Sequence, residues 1–443
     1  MSFISPDLID QLDPENELVI LAKQIPWDYF EKEFSPLYNE KMGRPANPIR
    51  LMTGLLILKQ MEDLSDKKII KKIIKAWVRD PYMQCFCGET EFQWHFPCDP
   101  TDLVYFRKRI GEEGVEKILA VSIALHGKEA LEKEVTIDTT VQEKNITFPT
   151  DSKLHRKIIE KCREIADAEE IQLRRSYKRT VKKLIMAQRF ANHPKNKRKA
   201  KKARKELKTI AGRLLRELYR KLPSWGIAFY KERLELFERV LSQEKNSKDK
   251  IYSLHEPDVY CLSKGKEHKK YEFGAKASIV TTKNSGIIVG ALSFAKNTYD
   301  GHTLDPVLKQ VERLRGKMPE IGICDRGYRG VSRVGDTQIL IPKPPGKRAS
   351  SYEKQKARKR FRRRAGIEPI IGHLKSDFRL KRNFLAGIKG DSINLMMAAA
   401  AFNFKKLLRR LIYFFVSILK RVFRTRNENL GRPSRQVSLS FSI

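Results

Sequence analysis

Residues 134–142 place a carboxylate, Asp138, in the middle of a strand-forming sequence. The segment is rich in β-branched side chains, which favour a strand over a helix. A carboxylate buried in a strand without a partner is costly. Because a turn or capping aspartate belongs at the end of an element, the mid-strand position argues against those ordinary roles. The fold must therefore supply a cation or hydrogen-bond donors around Asp138.

A second group of strands is predicted within residues 250–343. The predicted strands are 271–282, 286–294, 321–325 and 338–342. The first two are joined as a hairpin by residues 283–285, and residues 303–315 have the apolar spacing of a short amphipathic helix. The strand at 321–325 ends in a second notable carboxylate, Asp325, which a glycine-rich turn follows.

A third carboxylate, Glu368, lies in a strongly basic sequence. Residues 354–382 contain 12 Lys and Arg residues and only two acidic ones. On a helix, Arg364, Glu368 and Lys375 are spaced four and seven residues apart and share one face. Pro369 follows Glu368 directly and is expected to kink that helix.

Asp138, Asp325 and Glu368 together suit a divalent-metal site. Mg²⁺ prefers oxygen ligands and keeps several waters, so a few carboxylates suffice. Two ions, Mg²⁺ or Mn²⁺, can activate a water or a 3′-hydroxyl and stabilise the leaving oxygen at a phosphodiester. The ordinary alternative is that the three acids form structural ion pairs with the abundant arginines.

The net charge indicates a polyanionic partner. Lys and Arg number 90 and Asp and Glu 53, which gives a formal charge of +37. Nucleic acid is the first candidate and an anionic membrane the second. Six cysteines do not suggest a disulfide framework, and the first residues do not resemble a signal peptide. The apolar run at 411–419 is shorter than the ~20 residues of a membrane span, so we expect a cytoplasmic protein.

Residues 1–130 have helical patterning. Asn47 as N-cap and Pro48 at the first helical position predict a helix start. Ser65 is the predicted N-cap of the next helix, and another helix is expected to begin at Pro100. Two helices joined by a tight turn fit a helix-turn-helix or a plain helical hairpin, and the pattern does not separate the two.

Residues 151–245 are predicted to be long, basic helices. Residues 171–221 contain 20 Lys and Arg against 2 Glu, and residues 191–194 form the expected turn between two helical arms. A charged helix face is usually just solvated. Here the charge has one sign, so like-charge repulsion favours contact with nucleic acid.

Three local motifs resemble those of the DDE-class transposases of bacterial insertion sequences, and within them the family-five group and its insertion-sequence-four relatives. Thr136-Ile-Asp138-Thr-Thr-Val matches the first motif and Ile323-Cys-Asp325-Arg-Gly-Tyr the second. The third family motif has tyrosine, arginine, glutamate and lysine at fixed spacing. This chain has Phe361, Arg364, Glu368 and Lys375 at that spacing, so it departs from the family at the tyrosine.

The resemblance, which covers residues 40–405, implies a fold and a site. The fold class is α/β: a ribonuclease-H-like mixed sheet flanked by helices, with an all-α N-terminal domain and a long basic helical insertion. Asp138, Asp325 and Glu368 would be both the catalytic residues and the ligands of two Mg²⁺ or Mn²⁺ ions. Residues that would contact DNA are Arg364 and Lys375 near the cut end, Arg362 and Arg363 in place of the missing phenol, and Arg107 and Arg109 in the N-terminal domain.

The implied domains are a helical DNA-binding domain at 1–130, a catalytic domain at 131–150 and 246–405, the insertion at 151–245 and a partly disordered basic tail at 406–443. The implied activity is binding of terminal inverted repeats, DNA cleavage and strand transfer. Its partners would be double-stranded DNA, as element ends and target, and a second copy of the chain, with no membrane partner. Such a protein would be nucleoid-associated. The alternatives are a metal-dependent nuclease and a domesticated, non-catalytic DNA-binding protein.

Overall fold

A mixed sheet of seven strands organises the part of the chain that the structure describes. The computed structural model describes residues 7–39, 45–64, 77–95, 98–191, 193–244, 246–263, 270–342 and 349–429. The strands are β1 (Glu134–Glu143), β2 (Tyr260–Ser263), β3 (Tyr271–Thr282), β4 (Ile288–Phe294), β5 (Ile321–Ile323), β6 (Arg333–Val334) and β7 (Thr337–Leu340).

Strand β1 lies at the centre of this sheet. It pairs antiparallel with β3, where Asp138 is opposite Ile279, and parallel with β5, where Thr136 is opposite Ile323. The order is β2-β3-β1-β5-β7-β6, and β4 pairs with β3. The predicted ribonuclease-H-like mixed sheet is therefore confirmed, and each predicted segment contains a strand. The predicted end of the 321–325 strand at Asp325 is wrong, because β5 ends at Ile323. Strands β2 and β6 were not predicted, because they have only four and two residues.

Helices make up the described N-terminal region. They are α1 (Glu17–Gln24), α2 (Trp27–Phe34), α3 (Ile49–Met61), α4 (Pro81–Cys87) and α5 (Pro100–Ala124). The predicted cap at Asn47 is wrong: Pro48 holds the N-cap position, and the Asn47 side chain donates to Asp102 instead. The start of α5 at Pro100 is confirmed. The helix predicted after Ser65 lies outside the described residues, so the helix-turn-helix stays a prediction.

The basic block folds around an apolar core of its own. Its helices are α6 (Asp151–Ala168), α7 (Lys178–Met186), α8 (Pro194–Lys221) and α9 (Ser224–Ser242). All buried residues of this apolar core lie between Leu154 and Ile251, and the core is separate from the main core of the protein. In α8, residues such as Leu207 and Ile210 face this core, whereas the lysines and arginines are exposed. The predicted helical block is thus a separately packed helical unit.

The remaining helices surround the sheet. They are α10 (Leu304–Arg315), α11 (Ser351–Arg364), α12 (Ile367–Asp377) and α13 (Gly387–Asn429). The first half of α13 is buried in the main core. The tail predicted from residue 406 begins inside this helix, and residues 430–443 lie outside the described part. None of the described helices combines the length and apolarity that crossing a bilayer requires.

A buried lysine joins the two ends of the helical insertion to the sheet. Lys144 lies directly after β1 and is 4% exposed. Its Nζ is 3.3 Å from Glu256 Oε2 and 3.0 Å from Asp391 Oδ1, and it donates to the carbonyls of Leu385 and Gly387. The chain enters the insertion just after Lys144 and returns near Glu256. This cation therefore holds the base of the insertion against the start of α13.

Replacing Lys144 should destabilise the fold strongly. In Lys144→Met, two buried carboxylates lose their cation, which we expect to lower the free energy of unfolding by about 3–5 kcal/mol. Burial already raises the pKa of Asp391. Because protonation removes its buried charge, the deficit should shrink as pH falls from about 8 to about 5. Chemical denaturation at several pH values measures both effects.

The matched control is Lys309→Met, which breaks an exposed pair with Asp305 on α10. Exposed pairs contribute roughly 0–1 kcal/mol. Equal losses in the two variants would contradict the role assigned to Lys144.

Candidate active site

Asp138 lies on β1 just beyond the last residue that β5 pairs. Pairing between β1 and β5 ends at Thr136 opposite Ile323, so within the described parts of the chain no strand pairs with the β5 side of β1 next to Asp138. The Asp138 side chain is 18% exposed, and its Oδ1 accepts the backbone N–H of Thr139 at 2.8 Å. The carboxylate therefore lies where the β1–β5 pairing ends, which we call the open edge of the sheet, and a ligand can reach it there.

Asp325 follows β5 by two residues and comes to the same region. Since β1 and β5 are parallel, the register that pairs Thr136 with Ile323 runs on towards Asp138 and Asp325. Asp325 Oδ1 accepts the N–H of Gly327 at 2.7 Å and so caps the short turn that follows. Burial raises the pKa of the Cys324 thiol, and the negative charges of Asp325 and Asp138 raise it further. Both carboxylates thus act on one buried group.

Glu368 lies at the start of a helix rather than inside one. Helix α11 ends at Arg364, and α12 begins at Ile367. The predicted kink is present, but it precedes Glu368 instead of occurring at Pro369. Pro369 has no N–H for the carbonyl of Ala365, four residues earlier. That carbonyl accepts the N–H of Glu368 at 3.2 Å instead, which makes a tighter turn at the break.

Arg364 lies between the first and third carboxylates. Its Nη1 is 3.9 Å from Asp138 Oδ2, and its Nη2 is 3.6 Å from Glu368 Oε1. Glu368 is 65% exposed, whereas Arg364 and Asp138 are mostly buried. The predicted proximity of Arg364 and Glu368 survives the helix break because the turn keeps them neighbours. A protein cation therefore offsets part of the negative charge.

The carboxylate oxygens of Asp138, Asp325 and Glu368 suit divalent ions, but the three side chains do not lie close enough together here to bind one ion. Among the described residues, no three His, Cys, Asp or Glu side chains already form a group that could hold one ion. The aspartates are held at an open edge, and Glu368 is exposed and separated from Asp138 by Arg364. Mg²⁺ needs only one or two carboxylates with waters. Asp138 and Asp325 could hold such an ion, and Glu368 could join once Arg364 moves.

The residues predicted to contact DNA differ in accessibility. Arg362 and Arg363 are exposed at the end of α11, and Arg363 donates to Asn284 in the turn between β3 and β4. Lys375 is half-buried on α12. Arg109 is exposed and stacks over the Tyr38 ring at 4.2 Å. Arg107, in contrast, is 8% exposed, which leaves little of its side chain for a phosphate.

Sequence reasoning missed one acidic residue near the site, Asp300, and its partner Lys276. Asp300 Oδ1 lies 2.9 Å from Lys276 Nζ and accepts the Thr139 hydroxyl at 2.9 Å. Lys276 lies between two alanines on β3 and is buried. A lysine inside a strand-forming apolar sequence requires an acidic partner. The position of Lys276 could therefore have predicted a nearby acidic residue, but not that this residue is Asp300.

Comparison with known proteins agrees with this architecture. Residues 6–109 match the family described as "Transposase domain (DUF772)", and residues 244–404 match the family described as "Transposase DDE domain". An uncharacterized protein of Rhizobium meliloti, ORF8 in the nfe locus, is 42% identical over 188 residues, which are 41% of this chain and 88% of that relative. No solved structure matches the chain. With both transposase domains in order along one chain, this protein belongs to the DDE-class insertion-sequence transposases.

Proposed function

We propose that this transposase binds the terminal inverted repeats of its element, hydrolyses phosphodiesters at the ends, and joins the 3′-hydroxyls to target DNA. The observation that carries the proposal is the approach of Asp138 and Asp325 at one open sheet edge, with Arg364 between Asp138 and Glu368. Two ends must be brought together, so the working form is a homodimer or larger assembly on DNA. The protein would act in the cytoplasm at the nucleoid.

Asp138, Asp325 and Glu368 would hold two Mg²⁺ or Mn²⁺ ions. The ions would lower the pKa of the attacking water or hydroxyl and neutralise charge at the phosphate. The protein's own task is positioning. The open edge beside β1 would admit the phosphodiester, and Glu368 could turn towards Asp138 because most of its side chain is exposed.

Arg364 would serve two states of the site. Without a divalent ion, its guanidinium offsets the charges of Asp138 and Glu368. In the state that holds divalent ions, the same guanidinium would be available to a DNA phosphate, which it suits by its planar donor geometry. Lys375 on α12 and the exposed Arg362 and Arg363 on α11 would extend this contact along the DNA.

Other basic surfaces would hold DNA away from the cut. The exposed face of α8 carries cations along its length, and its opposite face is buried in the insertion core. In the N-terminal domain, Arg109 is the accessible member of the predicted pair, so it is the better candidate for contact with the terminal repeats. Contacts of this kind bind phosphates without reading sequence.

Neutral isosteres of the three acids should abolish chemistry but spare DNA binding. In Asp138→Asn, Asp325→Asn and Glu368→Gln, we expect cleavage and strand transfer with Mg²⁺ or Mn²⁺ to fall by roughly 10²–10³-fold or more, since charge stabilisation of the transition state is lost. A gel assay with labelled end DNA measures both steps.

Asp305→Asn, an exposed acid on α10, is the control and should keep full activity. Full activity in all three isosteres would refute the site. Cleavage without any joining by the wild-type protein would favour a nuclease instead.

Removing Arg364 should strengthen metal binding and weaken DNA binding. In Arg364→Gln, Asp138 and Glu368 lose a competing cation, so we expect Mn²⁺ affinity measured by calorimetry to rise a few-fold. Affinity for end DNA in the presence of Mn²⁺ should fall. Arg362→Gln, an exposed neighbour, should leave Mn²⁺ affinity unchanged. A lower Mn²⁺ affinity in Arg364→Gln would contradict the competition.

Neutralising the exposed face of α8 should reduce the salt dependence of DNA binding. Each phosphate contact contributes about 0.9 to the slope of log affinity against log salt. Replacing Lys197, Lys201 and Lys205 by Gln should therefore lower that slope by up to about three. The same number of changes at other exposed lysines of the insertion, Lys153, Lys161 and Lys231, is the charge-matched control. Equal slopes for the two triple variants would exclude α8 as the DNA-binding face.

A further inference from the structure

Asp300 lies between the sheet and the turn that carries Asp325. On the sheet side, its Oδ1 accepts from Thr139, the residue after Asp138, and pairs with Lys276, both at 2.9 Å. Lys276 also donates to the carbonyl of Thr298, so its ammonium is fixed from two sides. One oxygen of Asp300 is thus anchored to β1 and β3 beside the proposed site, while Oδ2 lies on the side of Gly327.

Gly327 keeps open a space between Asp300 and Asp325. A Cβ on Gly327 would lie 2.9 Å from Asp325 Oδ1 and 3.1 Å from Asp300 Oδ2, so these two oxygens lie within about 6 Å of each other. Gly327 does not have the left-handed φ of Gly330, which is 93°. The backbone conformation therefore does not require glycine at position 327. A side chain at this position would instead crowd the two carboxylate oxygens and push them apart.

The neighbouring Tyr328 supplies a second, independent observation. Its side chain is fully buried, and its hydroxyl has no hydrogen-bond partner among the residues that the structure describes. Burial raises the pKa of Tyr328, and the nearby charges, including those of Asp138, Asp300 and Asp325, raise it further. A buried hydroxyl without a partner is costly. In the field of three aspartates, a phenol O–H can donate to a water that an ion holds there.

We propose that Asp300 is a fourth acidic ligand of the metal site and binds one divalent ion together with Asp325. Lys276 and Thr139 hold Oδ1 and thereby orient Oδ2 towards the gap at Gly327. Mg²⁺–oxygen distances are about 2.0–2.1 Å, so an ion that binds both oxygens holds them at most about 4 Å apart. The two carboxylates therefore need to approach each other by at most about 2 Å from their separation in this structure. This assignment rests on the proposed two-metal function.

The charge balance supports the same assignment. Four carboxylates, those of Asp138, Asp300, Asp325 and Glu368, lie in this region; Lys276 contacts that of Asp300, and Arg364 contacts those of Asp138 and Glu368. Several carboxylates in a partly buried site favour cations. The competing explanation is that Asp300 serves only as the partner of the buried Lys276.

Mn²⁺ binding to the full-length protein without DNA separates these explanations. Calorimetry on the wild type should report two ions. In Asp300→Asn, we expect one site to weaken by about tenfold or more. Because Asp300→Asn also unpairs Lys276, Gly327→Ala is the second variant: it keeps that ion pair and puts a methyl group in the gap. It should weaken the same site. Asp305→Asn is the matched control and should bind as the wild type does.

Each outcome has a distinct meaning. Unfolding curves in EDTA show which variants are folded, independently of metal. Wild-type Mn²⁺ affinity in Gly327→Ala, or in a folded Asp300→Asn, would overturn the role of Asp300. If Asp138→Asn and Asp325→Asn lost binding in that same case, the proposed function would stand without the fourth ligand. If the wild type bound no Mn²⁺, the proposed two-metal function itself would fail.

Discussion

The structure depends on Lys144, a cation buried at the point where the central strand ends. Six residues earlier on the same strand is Asp138, and directly after Lys144 the chain departs into the helical insertion. The contacts of Lys144 with Glu256 and Asp391 hold the returning chain and the start of α13 against β1. A break in a buried pair is expensive. The helical insertion can thus be accommodated without a change in the strand register of β1 that positions Asp138.

The same principle recurs at the site itself, where two protein cations accompany the acids. Lys276 is buried and anchored, so it holds Asp300 in place. Arg364 is attached at a helix break and makes longer contacts, so it is the cation that can leave. One cation therefore suits a permanent role in positioning. The other suits exchange with a divalent ion, which in the proposed function would link metal binding to DNA contact.

Much of the fold could be predicted from the sequence, because the patterns were local. The boundaries of β3 at Tyr271 and Thr282 follow from strand propensity and turn residues, and the start of α5 follows from its capping residues. The predicted N-cap at Asn47 is wrong, because the Asn47 side chain donates to Asp102, 55 residues away in the sequence. The break before Glu368 follows from Pro369, but its position depends on which carbonyl loses its partner.

The sequence by itself determined the three acids, the basic character of their surroundings and the order of strands and helices. These depend on residue type, spacing and local motifs, which need no knowledge of distant contacts. Only the tertiary structure decided that Arg364 lies between Asp138 and Glu368, that Arg107 is buried, and that Asp300 lies beside Asp325 across Gly327. These facts depend on residues far apart in the chain, which come together only when the sheet assembles.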